Sequence, residues 1–196
     1  MATINYKIHG LFPKPVYQVD NLLEDKLTYY ETVMKKNVMN LNRNDYHYVD
    51  SSYQIENLHT KKEFVDLFNI IIIHSKEFLT QLGYDNLENI KILNSWFNIS
   101  KQNDYLQKHI HNGSLLSGAF YIKSDVNDVI DFYDQIDVTQ VPERANPISY
   151  SQYKLECKPG RLLLFKSSLE HGTPRQKSKE KIVVSFNINI WGENNE

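Results

Sequence analysis

The sequence predicts a mainly β fold, a barrel or jelly roll, backed by two or more helices from the N-terminal part of the chain. Helical spacing of apolar residues is confined to the first part, whereas from Ile90 onward apolar and polar residues alternate. The alternating segments are numerous and mostly joined by short, turn-rich connections, which is typical of β barrels and jelly rolls. With 196 residues and 41% hydrophobic content, the chain can build one core. We therefore predict a single domain over 1–196, with 1–89 as mostly helical support and 90–196 as the β core.

Two segments before residue 90 have apolar residues at the three- and four-residue steps of an amphipathic helix. In the segment 20–36, "DNLLEDKLTYYETVMKK", Asp20 is placed to cap the helix N-terminus. The second segment, 61–82, has a continuous apolar stripe, and Thr60 and Glu63 have the spacing of a capping box. We expect a helix in both segments.

Six segments after residue 90 have the period of two that predicts β-strands. They cover residues 90–100, 115–124, 128–135, 153–158, 161–168 and 181–191. Between them, residues 137–151 form a long polar stretch without periodicity, and long loops in compact domains are often binding elements. We therefore expect this loop to shape substrate choice.

The last predicted strand has one apolar and one polar face, because successive side chains of a strand point to opposite sides. The apolar face is expected to pack against the helices and consists of Ile182, Val184, Phe186, Ile188 and Ile190. The other face consists of Lys181, Val183, Ser185, Asn187 and Asn189. If this polar face lines the barrel interior, the buried Lys181 needs an anionic partner. The alternative is an edge strand whose polar face meets water.

Three of the seven histidines form a candidate metal site. His109 and His111 are two residues apart, so in an extended segment they point the same way, and His171 follows the strand "RLLLF". Three protein ligands on one side of a metal leave coordination positions open for substrate and dioxygen. From spacing alone, however, scattered surface or capping histidines are the more common explanation. A closed zinc site is disfavoured because the chain has only one cysteine.

Composition and charge narrow the class of protein. The net charge is −2, so the chain has no global basic field that would attract nucleic acid or an anionic membrane. A single cysteine excludes a disulfide within the chain, which favours a reducing, cytoplasmic location. The first residues lack the apolar core of a signal peptide, and the longest apolar run, Ile70–Ile73, is far too short to span a membrane.

Several motifs, in this order and at this spacing, resemble the non-haem Fe(II), 2-oxoglutarate-dependent oxygenases, and among them most closely a small group from bacteria and phages. The motifs cover most of the chain and are "LFPKPVY", "SWFNIS", "HIHNGSLLSGAFYI", "PGRLLLFKSSLEHGTPR" and "KIVVSFNINIW". The resemblance implies a double-stranded β-helix, the jelly roll that cupins share, in agreement with the strand pattern. It also implies Fe(II) as the metal, 2-oxoglutarate as cosubstrate and O2 as oxidant.

The resemblance also implies roles for individual residues. The metal ligands would be His109, His111 and His171. Lys181 would pair with the far carboxylate of 2-oxoglutarate, and the other candidates on the cosubstrate side are Tyr121, Ser117, Ser185 and Asn187. Asn94, Trp96 and Asn98 share one face of the preceding strand and would line the substrate pocket. No catalytic residue beyond the metal ligands is implied.

The chain departs from the family pattern at three positions. His111 stands where most members have a carboxylate, which leaves the metal with its full double positive charge. Lys181 stands where an arginine is commoner, so the bidentate fork to the carboxylate is lost. Val183 replaces a serine that follows this position in many members, and Ser185 or Asn187 on the same face could substitute for it.

The function that these observations predict is a dioxygenase that hydroxylates a peptidyl side chain or a small metabolite and releases succinate and CO2. Three alternatives remain. One is a three-histidine dioxygenase of cupin type without 2-oxoglutarate, in which Lys181 has no task. Another lets Gly113 leave a gap for a halide beside His111, which gives His109 no role. The last is a non-catalytic β-sandwich binding module. A homodimer is left open.

Overall fold

The computed structural model describes residues 12–36, 41–44, 47–55, 57–125, 127–134, 146 and 149–191. Within these residues the fold has two α-helices, α1 (Leu27–Lys36) and α2 (Val65–Gln81). The strands are β1 (Val16–Val19), β2 (Asn42–Asn44), β3 (His47–Ser51), β4 (Ile90–Lys101), β5 (Leu106–His109), β6 (Leu116–Lys123), β7 (Val129–Tyr133), β8 (Gln152–Glu156), β9 (Leu162–Lys166), β10 (His171–Thr173) and β11 (Glu180–Ile190). Short 3-10 helices precede α1, α2 and β4.

The strands form one antiparallel sheet that folds into two layers. Its order is β1-β9-β6-β11-β4-β3-β5-β10-β7-β8, with β2 paired to β3. We call β1-β9-β6-β11-β4 the major layer and β5-β10-β7-β8 the minor layer; β3 bridges them by pairing with both β4 and β5. This two-layered arrangement is a double-stranded β-helix, the fold that the family resemblance implies.

Two apolar cores stabilise the fold, one beneath the helices and one between the two layers. The outer core lies between α2 and the major layer, where Leu67, Ile71 and Phe78 pack in one cluster with Phe97 and Val184. The inner core lies between the two layers and joins residues of the major layer to residues of β7: Ala119, Tyr121, Leu163, Phe165, Val183, Ile130 and Phe132. The inner core fills only part of the space between the layers, and the remaining space is a cavity.

β11 has the two faces that the sequence predicts. Ile182, Val184, Phe186 and Ile188 belong to the outer core, whereas Val183 belongs to the inner core. β11 is a central strand that pairs with β4 on one side and β6 on the other. The alternative of a solvent-exposed edge strand is therefore wrong. Its polar face is directed between the layers, where Lys181 is only 3% exposed.

Both predicted helices exist, but α1 begins at Leu27 rather than at residue 20 and α2 at Val65 rather than at residue 61, and the predicted caps are wrong. No side-chain cap is present at the 3-10 turn that precedes α1, and Asp20 accepts hydrogen bonds from Arg161, Nη2 to Oδ2 at 2.9 Å. Thr60 lies in a 3-10 turn and its hydroxyl donates to the Asn57 carbonyl at 2.8 Å, so Thr60 and Glu63 form no capping box. Asp20 binds a charged guanidinium instead of the helix N-terminus, and Thr60 binds a carbonyl three residues earlier instead of a helical N–H group.

All six predicted strands are present, as β4, β6, β7, β8, β9 and β11, with ends within a few residues of the prediction. The sequence pattern missed β1, β2, β3, β5 and β10, which have three to five residues each. The predicted loop over 137–151 falls almost entirely outside the described residues. Among the described helices none is both long and apolar enough to cross a membrane.

Candidate metal and cosubstrate site

Three imidazoles meet at one end of the space between the layers. His109 ends β5 and His171 begins the neighbouring β10, where the strand register places them directly opposite each other. Their ring centroids are 4.4 Å apart, and the His111 ring lies 5.0 Å from His109 and 5.1 Å from His171. The three candidate ligand atoms all lie within 4.8 Å of one another. The structure therefore brings together the three histidines that the sequence analysis selected, and their role as metal ligands stays a prediction.

Backbone hydrogen bonds fix the segment that carries His111. Its N–H donates to the Ser167 carbonyl at 2.9 Å, and the Ser167 N–H donates to the Leu115 carbonyl at 3.1 Å. Between them Gly113 adopts a φ of +85°, a left-handed conformation in which a glycine is not strained. The turn after His111 is thus tied to the end of β9, which explains why His111 stays beside His171 although it lies outside any strand.

Backbone carbonyls select the tautomer of two of the imidazoles. His109 Nδ1 lies 2.8 Å from the Gln107 carbonyl oxygen, and His171 Nδ1 lies 2.8 Å from the Leu169 carbonyl oxygen. A carbonyl oxygen can only accept a hydrogen bond, so in each neutral ring Nδ1 carries the proton and Nε2 carries the lone pair. This is the arrangement of metal-binding histidines, whose second nitrogen donates to a carbonyl or carboxylate.

The electrostatics of the site keep His171 neutral. Its pKa is lowered to about 3, chiefly by burial and in addition by the positive charges that His109 and His111 can carry, while the hydrogen bond to the Leu169 carbonyl opposes the shift. At neutral pH this imidazole therefore keeps its lone pair available. A metal ligand must be deprotonated, so the shift favours binding of a cation over binding of a proton.

The histidines line a cavity of about 310 Å³ between the two layers, which we call the deep cavity. At one end of it are His109, His111 and His171. The wall also includes Lys181, Val183 and Ser185 from β11, Trp96 and Asn98 from β4, and Tyr121 from β6. No carboxylate belongs to its wall in the part of the chain that the structure describes. The deep cavity is therefore built to attract anions.

Lys181 is the only cation of this wall apart from the histidines, among the described residues, and it has no acceptor there. It is 3% exposed, and no described residue accepts a hydrogen bond from it or forms an ion pair with it. Tyr121 and Cys157 are also buried, and burial raises the pKa of both groups, so both stay protonated. A buried ammonium without an acceptor is costly unless a bound anion completes the site.

Three predicted pocket residues do not line the deep cavity. The Ser117 hydroxyl donates to Asn187 Oδ1 at 2.7 Å and lies 2.8 Å from the Ser167 hydroxyl. Asn187 Nδ2 in turn donates to Asn94 Oδ1 at 2.8 Å. Ser117 and Asn187 are almost fully buried within this row of hydrogen bonds. Asn94 lines a second cavity. Each residue faces the side that was predicted, but it lies too far along its strand to reach the deep cavity.

The structure adds wall residues that the sequence pattern did not predict. Ser51, Tyr53 and Gln54 come from β3 and the loop that follows it, and Thr173 comes from β10. The Tyr53 ring meets Trp96 edge-on at 4.9 Å, and Trp96 lies 5.8 Å from the His111 ring. These residues belong to short strands and turns, where no periodicity marks them. The one feature of the sequence that could have indicated them is the aromatic residue Tyr53 within the polar segment "SSYQ".

The residues present fit a divalent cation such as Fe(II). Three imidazole nitrogens within 4.8 Å of one another, two of them with the tautomer set by a carbonyl, form a donor set on one side of a cavity. The unpaired Lys181 in the wall of the same cavity fits an anionic cosubstrate.

Comparison with known proteins agrees with this site. Residues 94–187 match the profile of a family described as "Putative 2OG-Fe(II) oxygenase", and this segment contains all three histidines and Lys181. No curated protein matches the sequence.

Solved structures share the fold at low sequence identity. A prolyl-4-hydroxylase from Pseudomonas putida is 11% identical with a TM-score of 0.62, over 91% of this chain and 94% of that one. HygX from Streptomyces hygroscopicus, solved with nickel, 2-oxoglutarate and hygromycin B bound, is 11% identical with a TM-score of 0.59, over 90% and 83%. A prolyl hydroxylase from Trichoplax adhaerens, in complex with a peptide fragment of hypoxia inducible factor, is 12% identical with a TM-score of 0.58, over 89% and 83%.

The family profile covers the segments that carry the three histidines and Lys181, and the likeness of fold extends over nine-tenths of the chain. Over residues 94–187, which include the three histidines and Lys181, the chain matches the family of 2OG-Fe(II) oxygenases, enzymes with Fe(II), 2-oxoglutarate and O2 as cofactor and cosubstrates.

Proposed function

We propose that this oxygenase holds Fe(II) through His109, His111 and His171, anchors 2-oxoglutarate on Lys181, and hydroxylates a peptidyl side chain or a small metabolite. The observation that carries the proposal is that three imidazoles and an ammonium without an acceptor line the same deep cavity. Bound Fe(II) would supply the redox chemistry that couples oxidative decarboxylation of 2-oxoglutarate to insertion of oxygen into a C–H bond.

The residues of the chain would orient the metal ligands, bind the cosubstrate and exclude water from the site. The carbonyls of Gln107 and Leu169 hold two imidazoles with Nε2 as the ligand atom. Lys181 supports the distal carboxylate of the cosubstrate, with the hydroxyl groups of Tyr121 and Ser185 in the same wall. Apolar residues around them, such as Val183, keep this end of the cavity dry, which strengthens the ion pair.

The three-histidine set makes the cosubstrate more important for charge balance. Where a carboxylate would neutralise part of the metal's charge, His111 adds none, and no carboxylate lines the cavity among the described residues. The dianion of 2-oxoglutarate would supply that negative charge. A three-histidine dioxygenase that does not use 2-oxoglutarate is disfavoured, because it would leave the Lys181 ammonium buried without a partner.

Related folds support both substrate classes: the Trichoplax enzyme was solved with a peptide, and HygX was solved with hygromycin B. For this chain we further propose one domain over 1–196 and a cytoplasmic location, on the grounds of a continuous outer core and a single cysteine. With a net charge of −2, nucleic acid is not an expected partner.

The test is anaerobic titration of the purified protein with Fe(II) and then 2-oxoglutarate, followed by measurement of succinate after O2 is admitted. We expect one Fe(II) per chain, an absorbance change on addition of 2-oxoglutarate, and slow succinate formation without a substrate. The variant His171→Gln should lose stoichiometric Fe(II). The matched control is His74→Gln. His74 lies on α2, away from the cavity, where its Nδ1 forms a hydrogen bond with the Tyr17 hydroxyl of β1. Failure of 2-oxoglutarate to bind the Fe(II) form would refute the proposal.

A further inference from the structure

A second cavity of about 190 Å³ adjoins the deep cavity and shares three wall residues with it: Tyr53, Gln54 and Trp96. We call it the outer cavity; its remaining walls are Ile55, Asn57, Asn94 and Ser95. The Tyr53 and Trp96 rings, 4.9 Å apart, stand at the boundary between the two cavities. A ligand that reaches the histidines past this aromatic pair can therefore extend into the outer cavity.

The outer cavity offers two amide donors that the protein itself does not use. Asn57 Oδ1 accepts from the Ser95 N–H at 3.2 Å, and Asn94 Oδ1 accepts from Asn187 Nδ2 at 2.8 Å. Because a backbone N–H can only donate, the Asn57 amide is oriented with its oxygen toward Ser95 and its Nδ2 away from it. Neither Asn57 Nδ2 nor Asn94 Nδ2 has an acceptor among the described residues. Both amides are thus held in place by the fold and are left with hydrogen-bond donors to offer.

The chemistry of the wall selects a class of ligand. No charged side chain lines the outer cavity within the described part of the chain, so none of these described wall residues is a partner for a phosphate or for an ammonium. Amide donors match neutral acceptors such as carbonyl oxygens, and Ile55, Tyr53 and Trp96 add apolar surface. A peptide has carbonyl oxygens at regular intervals between apolar side chains. A peptide whose reacting side chain enters the deep cavity can therefore place its neighbouring carbonyl oxygens in the outer cavity at the same time.

We infer that the outer cavity is a substrate subsite that receives the backbone next to the hydroxylated residue of a peptide, with Asn57 and Asn94 donating to its carbonyl oxygens. This inference rests on the proposed function, because it takes the deep cavity as the place where the reacting side chain enters. It identifies the substrate as a peptidyl side chain rather than a free metabolite.

The structure provides its own reporter for the test. The chain has two tryptophans, and Trp191→Phe leaves Trp96, at the boundary of the cavities, as the single emitter. In this background, loaded with Mn(II) and 2-oxoglutarate without oxygen, Trp96 fluorescence is titrated with pools of uncharged heptapeptides blocked at both ends. Each pool has one fixed central residue. Free amino acids and maltotriose are titrated in parallel.

The variants Asn57→Asp and Asn94→Asp keep the accepting oxygen and the shape of each amide but replace the donor by a carboxylate oxygen. We expect at least one pool to change Trp96 emission, and each variant to weaken its binding by about tenfold, as for loss of one hydrogen bond plus repulsion of a carbonyl. Asn69→Asp, on the exposed surface of α2, is the matched control and should bind the pool as tightly as its parent.

Other outcomes overturn the inference. It is wrong if maltotriose or a free amino acid changes Trp96 emission and no peptide pool does, or if peptides bind with equal affinity to parent and both variants. It is also wrong if 2-oxoglutarate binds and no pool does. Failure of 2-oxoglutarate itself to bind, measured first by its absorbance with Fe(II), would refute the proposed function instead, so the two failures are distinguishable.

Discussion

His109 and His171 face each other across neighbouring antiparallel strands, with ring centroids 4.4 Å apart. They are 62 positions apart in the sequence, and only the pairing of β5 with β10 brings them together. The pairing has a second effect, since both residues turn Nδ1 toward the carbonyl two positions earlier in the chain. The same local geometry thus orients both imidazoles, and several measurable consequences follow from the site it builds.

Replacement of Lys181 should separate cosubstrate binding from metal binding. Lys181→Met should weaken 2-oxoglutarate about 10- to 150-fold, because a charge-assisted hydrogen bond contributes about 1.5–3 kcal/mol. Fe(II) affinity should change little. Isothermal titration of the anaerobic protein measures both. Equal 2-oxoglutarate affinity in the two proteins would remove Lys181 from the cosubstrate site.

The same variant should also be more stable than the parent protein when 2-oxoglutarate is absent. The ammonium is buried without an acceptor, and methionine removes that cost while filling the space, by about 1 kcal/mol or more. At the same concentration, 2-oxoglutarate should raise the melting temperature of the parent more than that of Lys181→Met. Lys179→Met, at an exposed position, is the control and should show neither change.

Replacement of His111 by aspartate tests the charge balance of the three-histidine set. A carboxylate is an accepted ligand at such a site, so His111→Asp should keep Fe(II) bound. The site then has one positive charge fewer, and 2-oxoglutarate should bind at least several-fold more weakly. Metal content and 2-oxoglutarate affinity are measured on the same preparation. A variant that binds 2-oxoglutarate more tightly would contradict this account of the site.

The stability of the metal-free protein should depend on pH through His171. Its pKa is about 3 when folded, because of burial and the neighbouring histidines, against 6.5 as its ordinary value. Below pH 6.5 the unfolded chain therefore takes up a proton that the folded protein does not. The free energy of unfolding should fall as the pH is lowered, by up to about 1.4 kcal/mol per pH unit from this group.

Urea unfolding between pH 7.5 and 5, with a chelator present, measures this slope. His59 contributes in the same direction, since burial lowers its pKa as well. The variant His171→Gln should have a shallower slope than the parent over this range. A slope that is unchanged in His171→Gln would show that the imidazole does not stay neutral in the folded protein.

Gly118 should not tolerate a side chain. A Cβ there would collide with the Phe186 ring and lie 2.8 Å from the Leu163 carbonyl oxygen, in the middle of the paired strands β6, β9 and β11. Gly118→Ala should lower the free energy of unfolding by about 1–3 kcal/mol, as overpacking does. For comparison, Gly83→Ala meets no atom within 4 Å but is strained by its φ of +83°, so its cost should come from backbone conformation alone. Urea unfolding compares the two, and a Gly118→Ala protein as stable as the parent would disprove the collision.

The sequence predicts those strands in which apolar and polar residues alternate over many positions. β4, β6 and β11 each have eight or more residues, and alternation over that length separates two faces. β5 and β10 have four and three residues, too few for any period, and they form because β3 and β7 offer them partners. The histidines that they carry could be paired only through the resemblance to a family.

Alternation predicts which face a residue is on, but not how far along the strand the cavity extends. Ser117, Asn187 and Asn94 are on the predicted faces, yet their strand positions place them in a hydrogen-bonded chain beyond the cavity. Ser185 and Trp96, two positions away from Asn187 and Asn94, reach the cavity wall. How far the deep cavity extends along each strand depends on the stagger between neighbouring strands, which is a property of the whole sheet.

The central place of β11 has a consequence for how the site behaves over time. The strand pairs with β4 along its whole length and with β6 through the segment that follows Lys181. Its amide protons can exchange with solvent only when the major layer itself opens, so they should be among the slowest in the molecule to take up deuterium. The amides of Tyr53 and Gln54, in an exposed turn, should exchange quickly. Lys181 is therefore held on the part of the molecule that opens last. Entry and release of ligands should instead depend on motion of the turn with Tyr53 and Gln54, which contacts Trp96.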